Sequence, residues 1–167
     1  MVLKIVTLGS DLLKRRSEEV TDFSDIKRLV EDMYDTMYIA GGVGLSAVQV
    51  GALKRVFVID IPDILNGKHV MINPVIKDLS ADKSCVNEGC LSIPGVSSKV
   101  ERPKKVTVEY TDIKGKRKTL KASGILAVCI QHEYDHLEGT LFIDRLTPET
   151  KIEKIKEFKK ALLKAAT

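Results

Sequence analysis

His132 and His136 flank Glu133 in the segment Gln131-His132-Glu133-Tyr134-Asp135-His136. On a helix, side chains four residues apart share a face about one turn from each other, so both imidazoles can reach a single metal ion. Glu133 then sits beside the ion's open side, where a carboxylate can take a proton from water without being a ligand. These types at this spacing point to metal-assisted hydrolysis. A catalytic metal site generally uses three protein ligands and keeps one position open, and this segment provides two. A metzincin-type pattern would place a histidine three residues after Gly139, but that position is Phe142. A thermolysin-like site would use a downstream glutamate, and Glu149, Glu153 and Glu157 lie on a lysine-rich stretch with the pattern of a solvated helix. Cys90, within Asn87-Glu88-Gly89-Cys90-Leu91-Ser92-Ile93-Pro94-Gly95, is the remaining candidate, and a thiolate with two imidazoles is a known catalytic set.

The elements that must hold these groups can be read locally. Ser123 is placed to cap a helix through the histidines, Ile125, Cys129, His132 and His136 fall on one stripe, and Gly139 is its stop. Ser24 or Asp25 can cap an earlier helix whose Ile26, Leu29, Val30, Met33 and Met37 follow the helical period up to Gly41-Gly42. The glycine-rich run Gly41 to Gly51 matches neither a phosphate loop nor a dinucleotide fingerprint, and is expected to be a tight connection between helix and strand. Short β-branched runs at Arg55 to Asp60, Val70 to Ile72, Val75 to Ile76 and Val106 to Tyr110 predict strands, and Asp112-Ile113-Lys114-Gly115 a hairpin turn into Lys118 to Lys121. Strands joined by turns rather than helices indicate antiparallel sheet. Helix, then sheet, then helix argues for one α+β domain over residues 1–167. From Pro148 onward the chain predicts an amphipathic helix with Ile152, Ile155, Phe158 and Leu162 on its apolar side and lysines around the rest. Glu88 and Arg102 are placed to pair and fix the Cys90 segment, while Lys14 to Glu19 has the pattern of a solvated face.

Bulk properties set limits on function. An apolar content of 44% and a charged content of 30% are those of an ordinary globular chain, and no segment has the length of a transmembrane helix. The first residues have too short an apolar core for a signal peptide and are expected to be mature structure. Three cysteines, an odd count, give no disulfide framework and suit a reducing compartment, so a cytoplasmic location is expected. Cys85 and Cys129 are expected to be small buried hydrophobes, with Cys129 lining the site, and His69 to be structural. The net charge of +4 is mild and resides mostly in the tail, where six lysines face three glutamates from Glu149 onward.

Taken together, Gly42-Val43-Gly44-Leu45-Ser46-Ala47-Val48-Gln49, Glu88-Gly89-Cys90-Leu91-Ser92 and Gln131-His132-Glu133-Tyr134-Asp135-His136-Leu137 resemble the three signature motifs of the peptide deformylase family. Order and separation match over nearly the whole chain. One departure is Ser46, where the family commonly has alanine. Another is the stretch around Gly95 and Ser97, which lacks the basic residue that some members use along the substrate groove.

The resemblance implies antiparallel sheets packed around a central metal-binding HExxH helix, with a C-terminal helix. It implies removal of the N-formyl group from the N-terminal methionine of newly made proteins, releasing formate. Carried over residue by residue, Cys90, His132 and His136 hold the metal, and Glu133 is the general acid/base for a metal-activated water. Gln49 and the backbone N–H of Leu91 stabilise the oxyanion. Val43, Val86, Ile125, Val128 and Cys129 are assigned to the methionine pocket, with the Gly44 backbone pairing the peptide as an added strand. The ion implied is Fe(II), with Zn(II), Ni(II) or Co(II) as alternatives. The implied partners are N-formylmethionyl nascent peptides and, through the basic C-terminal helix, the ribosome; neither a membrane nor DNA is expected. The setting is the bacterial cytoplasm, or an organellar matrix after removal of a transit peptide. A metalloprotease and a protein with a structural zinc are the rival readings of the same helix.

Overall fold

A five-stranded antiparallel sheet separates two helices, and a two-stranded ribbon closes over the second of them. The computed structural model describes residues 1–167. In chain order the elements are α1 (Ile26–Ile39), β1 (Gly44–Ser46), β2 (Val56–Asp60), β3 (Lys68–Leu79), β4 (Lys83–Cys90), β5 (Ile93–Pro103), β6 (Lys105–Thr111), β7 (Arg117–Ser123), α2 (Gly124–Leu137) and α3 (Pro148–Ala165). Short 3-10 turns lie at Asp11–Lys14, Ala47–Val50 and Phe142–Arg145. The large sheet runs β1-β2-β3-β6-β7, and β4 pairs only with β5. Every pairing between these strands is antiparallel, as expected for the α+β class.

Strand β2 shows why the sheet sits where it does. Successive side chains of a strand point to opposite faces, and β2 is apolar at every position from Val56 to Ile59. Val56 and Val58 join Ile26, Val30, Met33 and Met37 of α1. Phe57 and Ile59 join Ala127, Ile130 and Leu137 of α2. Each such fully buried side chain stabilises the fold by about 1.5–3 kcal/mol, so the two helices are bound to opposite faces of one strand. A third cluster packs Ile93, Val96 and Val100 of β5 against Leu13, Phe142 and Phe158. No helix is long and apolar enough to cross a membrane.

Several local expectations are corrected. The runs at Val70 and Val75 are one strand, β3, despite Pro74 between them. The register against β6 shifts between Ile72 and Val75, Asn73 takes φ 48°, and its side chain bonds both the N–H (2.8 Å) and the C=O (2.9 Å) of Val20. That bulge accommodates a residue with no N–H to give to a ladder. The glycine-rich run is not only a connection, because Gly44–Ser46 forms an edge strand on β2. The segment around Cys90 belongs to the β4–β5 hairpin, with only Leu91 and Ser92 as its turn. Cys85 is exposed rather than buried, and Ser17, inside the charged patch, is buried. Ser123 occupies the N-cap position of α2 without a side-chain bond. On α3 the inward stripe is Ile155 and Phe158, flanked by half-buried Lys151 and Lys154; Ile152 and Leu162 are 54% and 48% exposed. Lys151 pairs with Asp144 (2.6 Å) and Lys154 with Glu157 (3.2 Å).

The end of α2 sets the direction of the chain after the histidines. Gly139 has φ 75°, and a Cβ there would lie 2.4 Å from the carbonyl oxygen of Lys14. Gly139→Ala is therefore expected to lower unfolding stability by about 1–3 kcal/mol, through left-handed strain and a backbone clash. Chemical denaturation of the variant checks this, and a midpoint equal to that of the parent would refute it.

Candidate metal centre

Cys90 ends β4, and His132 and His136 lie one turn apart on α2. Their ligand atoms all lie within 4.8 Å of one another, and Cys90 Sγ is 3.3 Å from His136 Nε2. Sulfur and nitrogen ligands bound tetrahedrally to one ion are about 3.5 Å apart, so the donor set fits a small divalent ion with little movement. The donors also fit by type, one thiol with two imidazoles. The three form the one group of His, Cys, Asp or Glu side chains gathered closely enough to hold an ion. Glu149, Glu153 and Glu157 are exposed on α3 and outside it. Phe142, where a metzincin would carry a histidine, stacks beside His132 with ring centroids 6.1 Å apart.

The second nitrogen of His132 is fixed by a buried chain of charges. Its Nδ1 is 2.8 Å from Glu88 Oε1, which turns Nε2 toward the ligand group. Arg102 donates to both oxygens of Glu88 (2.6 and 3.0 Å) and to Asp135 Oδ2 (2.9 Å). Arg145 completes Asp135 with bonds of 2.7 and 3.1 Å. The expected Glu88–Arg102 pair is thus buried and is half of a larger network. Burial pushes the Glu88 carboxyl up, but His132 and Arg102 outweigh it and hold its pKa below the usual range. Burial likewise opposes charge on His132, yet Cys90, Glu88 and Glu133 together raise its pKa well above normal. A dication takes the place of that proton when the site is loaded, since a ligating imidazole must be neutral. His136 is driven the other way, chiefly by burial and then by His132. Its Nδ1 has no protein partner, and its ring packs edge-on to His132 at 5.1 Å.

Glu133 is held by β1 rather than by this network. Burial is the main cause of its raised pKa. Ser46 Oγ donates to its Oε2 at 2.8 Å, and Gly44 packs so closely that a Cβ there would lie 2.5 Å from its Oε1. Gln49, on the turn after β1, gives one Nε2 hydrogen to Ser92 Oγ at 3.0 Å and is 3.5 Å from Cys90 Sγ. The Leu91 N–H donates to no acceptor within the protein. Val43, Gly44, Gln49, Val86, Cys90, Leu91, Ile125, Val128, Cys129, His132 and Glu133 all line one cavity of about 600 Å³, and His136 lies behind it. Cys129 lines the wall as expected. Burial, and then the nearby Glu133, push its thiol up to about 12, so it stays protonated.

Sequence reasoning missed Ser46, Ser92, Asp135 and Arg145 as members of this site. Asp135 carried one usable signal, an acidic residue on the apolar side of a buried helix, which requires a cation.

A sequence model of the family described as polypeptide deformylase matches residues 2–152. The chain belongs to that family. The peptide deformylase of Wolbachia sp. subsp. Drosophila simulans (strain wRi) is 49% identical to it over 173 residues, covering 93% of this chain and 97% of the relative. That of Wolbachia pipientis wMel is 52% identical over 157 residues, covering 87% and 88%. Among solved structures, the peptide deformylase from Ehrlichia chaffeensis superposes with a TM-score of 0.94 at 38% identity, over 100% of both chains. The structure of that deformylase in complex with actinonin gives a TM-score of 0.91 at 41% identity, covering 96% and 97%. Peptide deformylases are metal-dependent hydrolases, and the gathered thiol and imidazoles are consistent with that chemistry.

The network makes a specific demand on the deformylase site. Glu88→Ala removes the acceptor that orients His132, and outer-shell losses of this kind weaken metal binding by about 10–100-fold. Competition with a chelator of known affinity is expected to show that weakening, and an unchanged dissociation constant would contradict it.

Proposed function

We propose that residues 1–167 act as one catalytic unit that removes the formyl group from the N-terminal methionine of newly made chains and releases formate. The observation that carries this reading is a thiol and two imidazoles gathered at the wall of a cavity, with Glu133 buried beside them. Cys90, His132 and His136 would hold the ion, for which Fe(II) is our choice and Zn(II), Ni(II) and Co(II) the alternatives. The ion supplies a Lewis acid and makes a water at the open position more acidic. Glu133 takes the proton of that water as its oxygen attacks the formyl carbon. Gln49 Nε2, whose second hydrogen is held only by the long contact to Cys90 Sγ at 3.5 Å, and the unpaired Leu91 N–H are the donors for the charge that develops on the formyl oxygen. Glu133 then passes its proton to the departing amine as the C–N bond breaks.

Selection has to act beside the formyl group, which is too small to be distinguished alone. Val43, Val86, Ile125, Val128 and Cys129 supply apolar wall for the methionine side chain. β1 is the free edge of its sheet and Gly44 lines the cavity, so an extended peptide can add there through backbone bonds. Ile125→Trp fills the entrance and is expected to raise KM for formyl-methionyl peptides about tenfold with kcat retained. Unchanged kinetics would remove this residue from the pocket.

The work is placed in the bacterial cytoplasm, or in an organellar matrix, where nascent chains carry the substrate. On α3, Lys156, Lys159, Lys160 and Lys164 are exposed and suited to ribosomal RNA phosphates. Reversing the first three to glutamate spares buried Phe158 and is expected to abolish co-sedimentation with ribosomes at low salt. Persistent co-sedimentation would rule this contact out.

The reaction itself is tested with anaerobically purified protein and formyl-Met-Ala-Ser. Formate release is expected, with no cleavage of the unblocked peptide, and Glu133→Gln is expected to lose at least about a hundredfold in kcat. Cleavage of internal bonds would point to a protease, and absence of any turnover to a structural metal.

A further inference from the structure

Ser46 is fully buried, at 0% exposure, where β1 ends and the turn carrying Gln49 begins. Its side chain and its backbone each hold a different group of the site. The hydroxyl oxygen is 2.8 Å from Glu133 Oε2 and 3.0 Å from the Glu133 carbonyl oxygen. The backbone N–H donates to Gln49 Oε1 at 2.9 Å.

Both contacts settle a choice that would otherwise be open. An amide has two nearly isosteric ends, and a donor on Oε1 forces Nε2 to the other side, where it meets Ser92 Oγ at 3.0 Å and Cys90 Sγ at 3.5 Å. A carboxylate has two equivalent oxygens on a flexible stem, and the single Ser46 hydroxyl hydrogen, shared between Oε2 (2.8 Å) and the Glu133 carbonyl (3.0 Å), leaves Oε1 as the free one. Gly44, two residues earlier on the same strand, leaves the room that Oε1 occupies, since a Cβ there would stand 2.5 Å from it. The strand end therefore holds Oε2 and makes room for Oε1.

We propose that Ser46 is a positioning residue of this reaction, which from a single strand end turns Oε1 of Glu133 and Nε2 of Gln49 toward the reacting atoms. The inference rests on the roles given above to Glu133 and Gln49. The backbone half of the grip survives any side-chain change at Ser46, so substituting the hydroxyl tests the Glu133 half alone. A hydroxyl donating to a carboxylate contributes about tenfold when lost, and it acts on the chemical step rather than on substrate binding.

Ser46→Ala removes the hydroxyl without adding bulk. In the metal-loaded variant, kcat for formyl-Met-Ala-Ser is expected to fall about tenfold, with KM, metal content and melting temperature unchanged. A high-resolution crystal structure of the same variant is expected to show the Glu133 carboxylate rotated or split between two orientations. Full kcat, or reduced kcat with Glu133 in its original orientation, would overturn the proposal. If Glu133→Gln is inactive while Ser46→Ala is fully active, only the role of Ser46 falls; an active Glu133→Gln enzyme would overturn both readings.

Discussion

Arg102 is the tie on which the rest of the structure depends. Its guanidinium is 4% exposed and lies between Glu88 of β4 and Asp135 of α2, so the ribbon carrying the thiol and the helix carrying the imidazoles meet across one buried cation. It is the one cation that both buried carboxylates share. Removing one partner of such a group leaves an uncompensated charge and typically costs about 3–5 kcal/mol, more than a comparable surface pair contributes. The same Glu88 that Arg102 neutralises accepts from His132, so the tie that joins the two elements also sets the ring orientation of a candidate metal ligand.

Around that tie, each element contributes one constraint and leaves one freedom. The five-stranded sheet holds α2 through Phe57 and Ile59, yet its first strand ends as an open edge beside the cavity. Burial raises the pKa of Glu133 and keeps Cys129 protonated, so two neighbouring groups in one wall are prepared for different work. Cys90 differs from the other two cysteines by position, not by type: Cys85 is out in solvent, and Cys129 lines the cavity without belonging to the gathered ligand atoms.

Local patterns in the sequence carried much of this. The α1 period, the wholly apolar β2, the Asp112 to Gly115 turn and the HExxH spacing are each specified within a dozen residues, and each appears in the structure. The β4–β5 ribbon was not legible. Its apolar residues Ile93, Val96 and Val100 are spaced as on a helix, because Gly95 takes φ 79° and breaks the alternation, and because the register slips after Gly89. The inward side of α3 was misjudged because Lys151 and Lys154 lie half-buried along the stripe while Ile152 and Leu162 face solvent, which the helical period alone does not show. Ser46, Asp135 and Arg145 act through residues dozens of positions away or through a network, and nothing in their immediate neighbours announces that.

One spectrum bears most directly on the meeting of a β4 thiol with two α2 imidazoles around a single ion. X-ray absorption at the metal edge of anaerobically loaded protein should show one sulfur at about 2.3 Å, two imidazole nitrogens, and one light atom that azide can replace. A first shell without sulfur, or one with four protein ligands and no exchangeable position, would contradict the account.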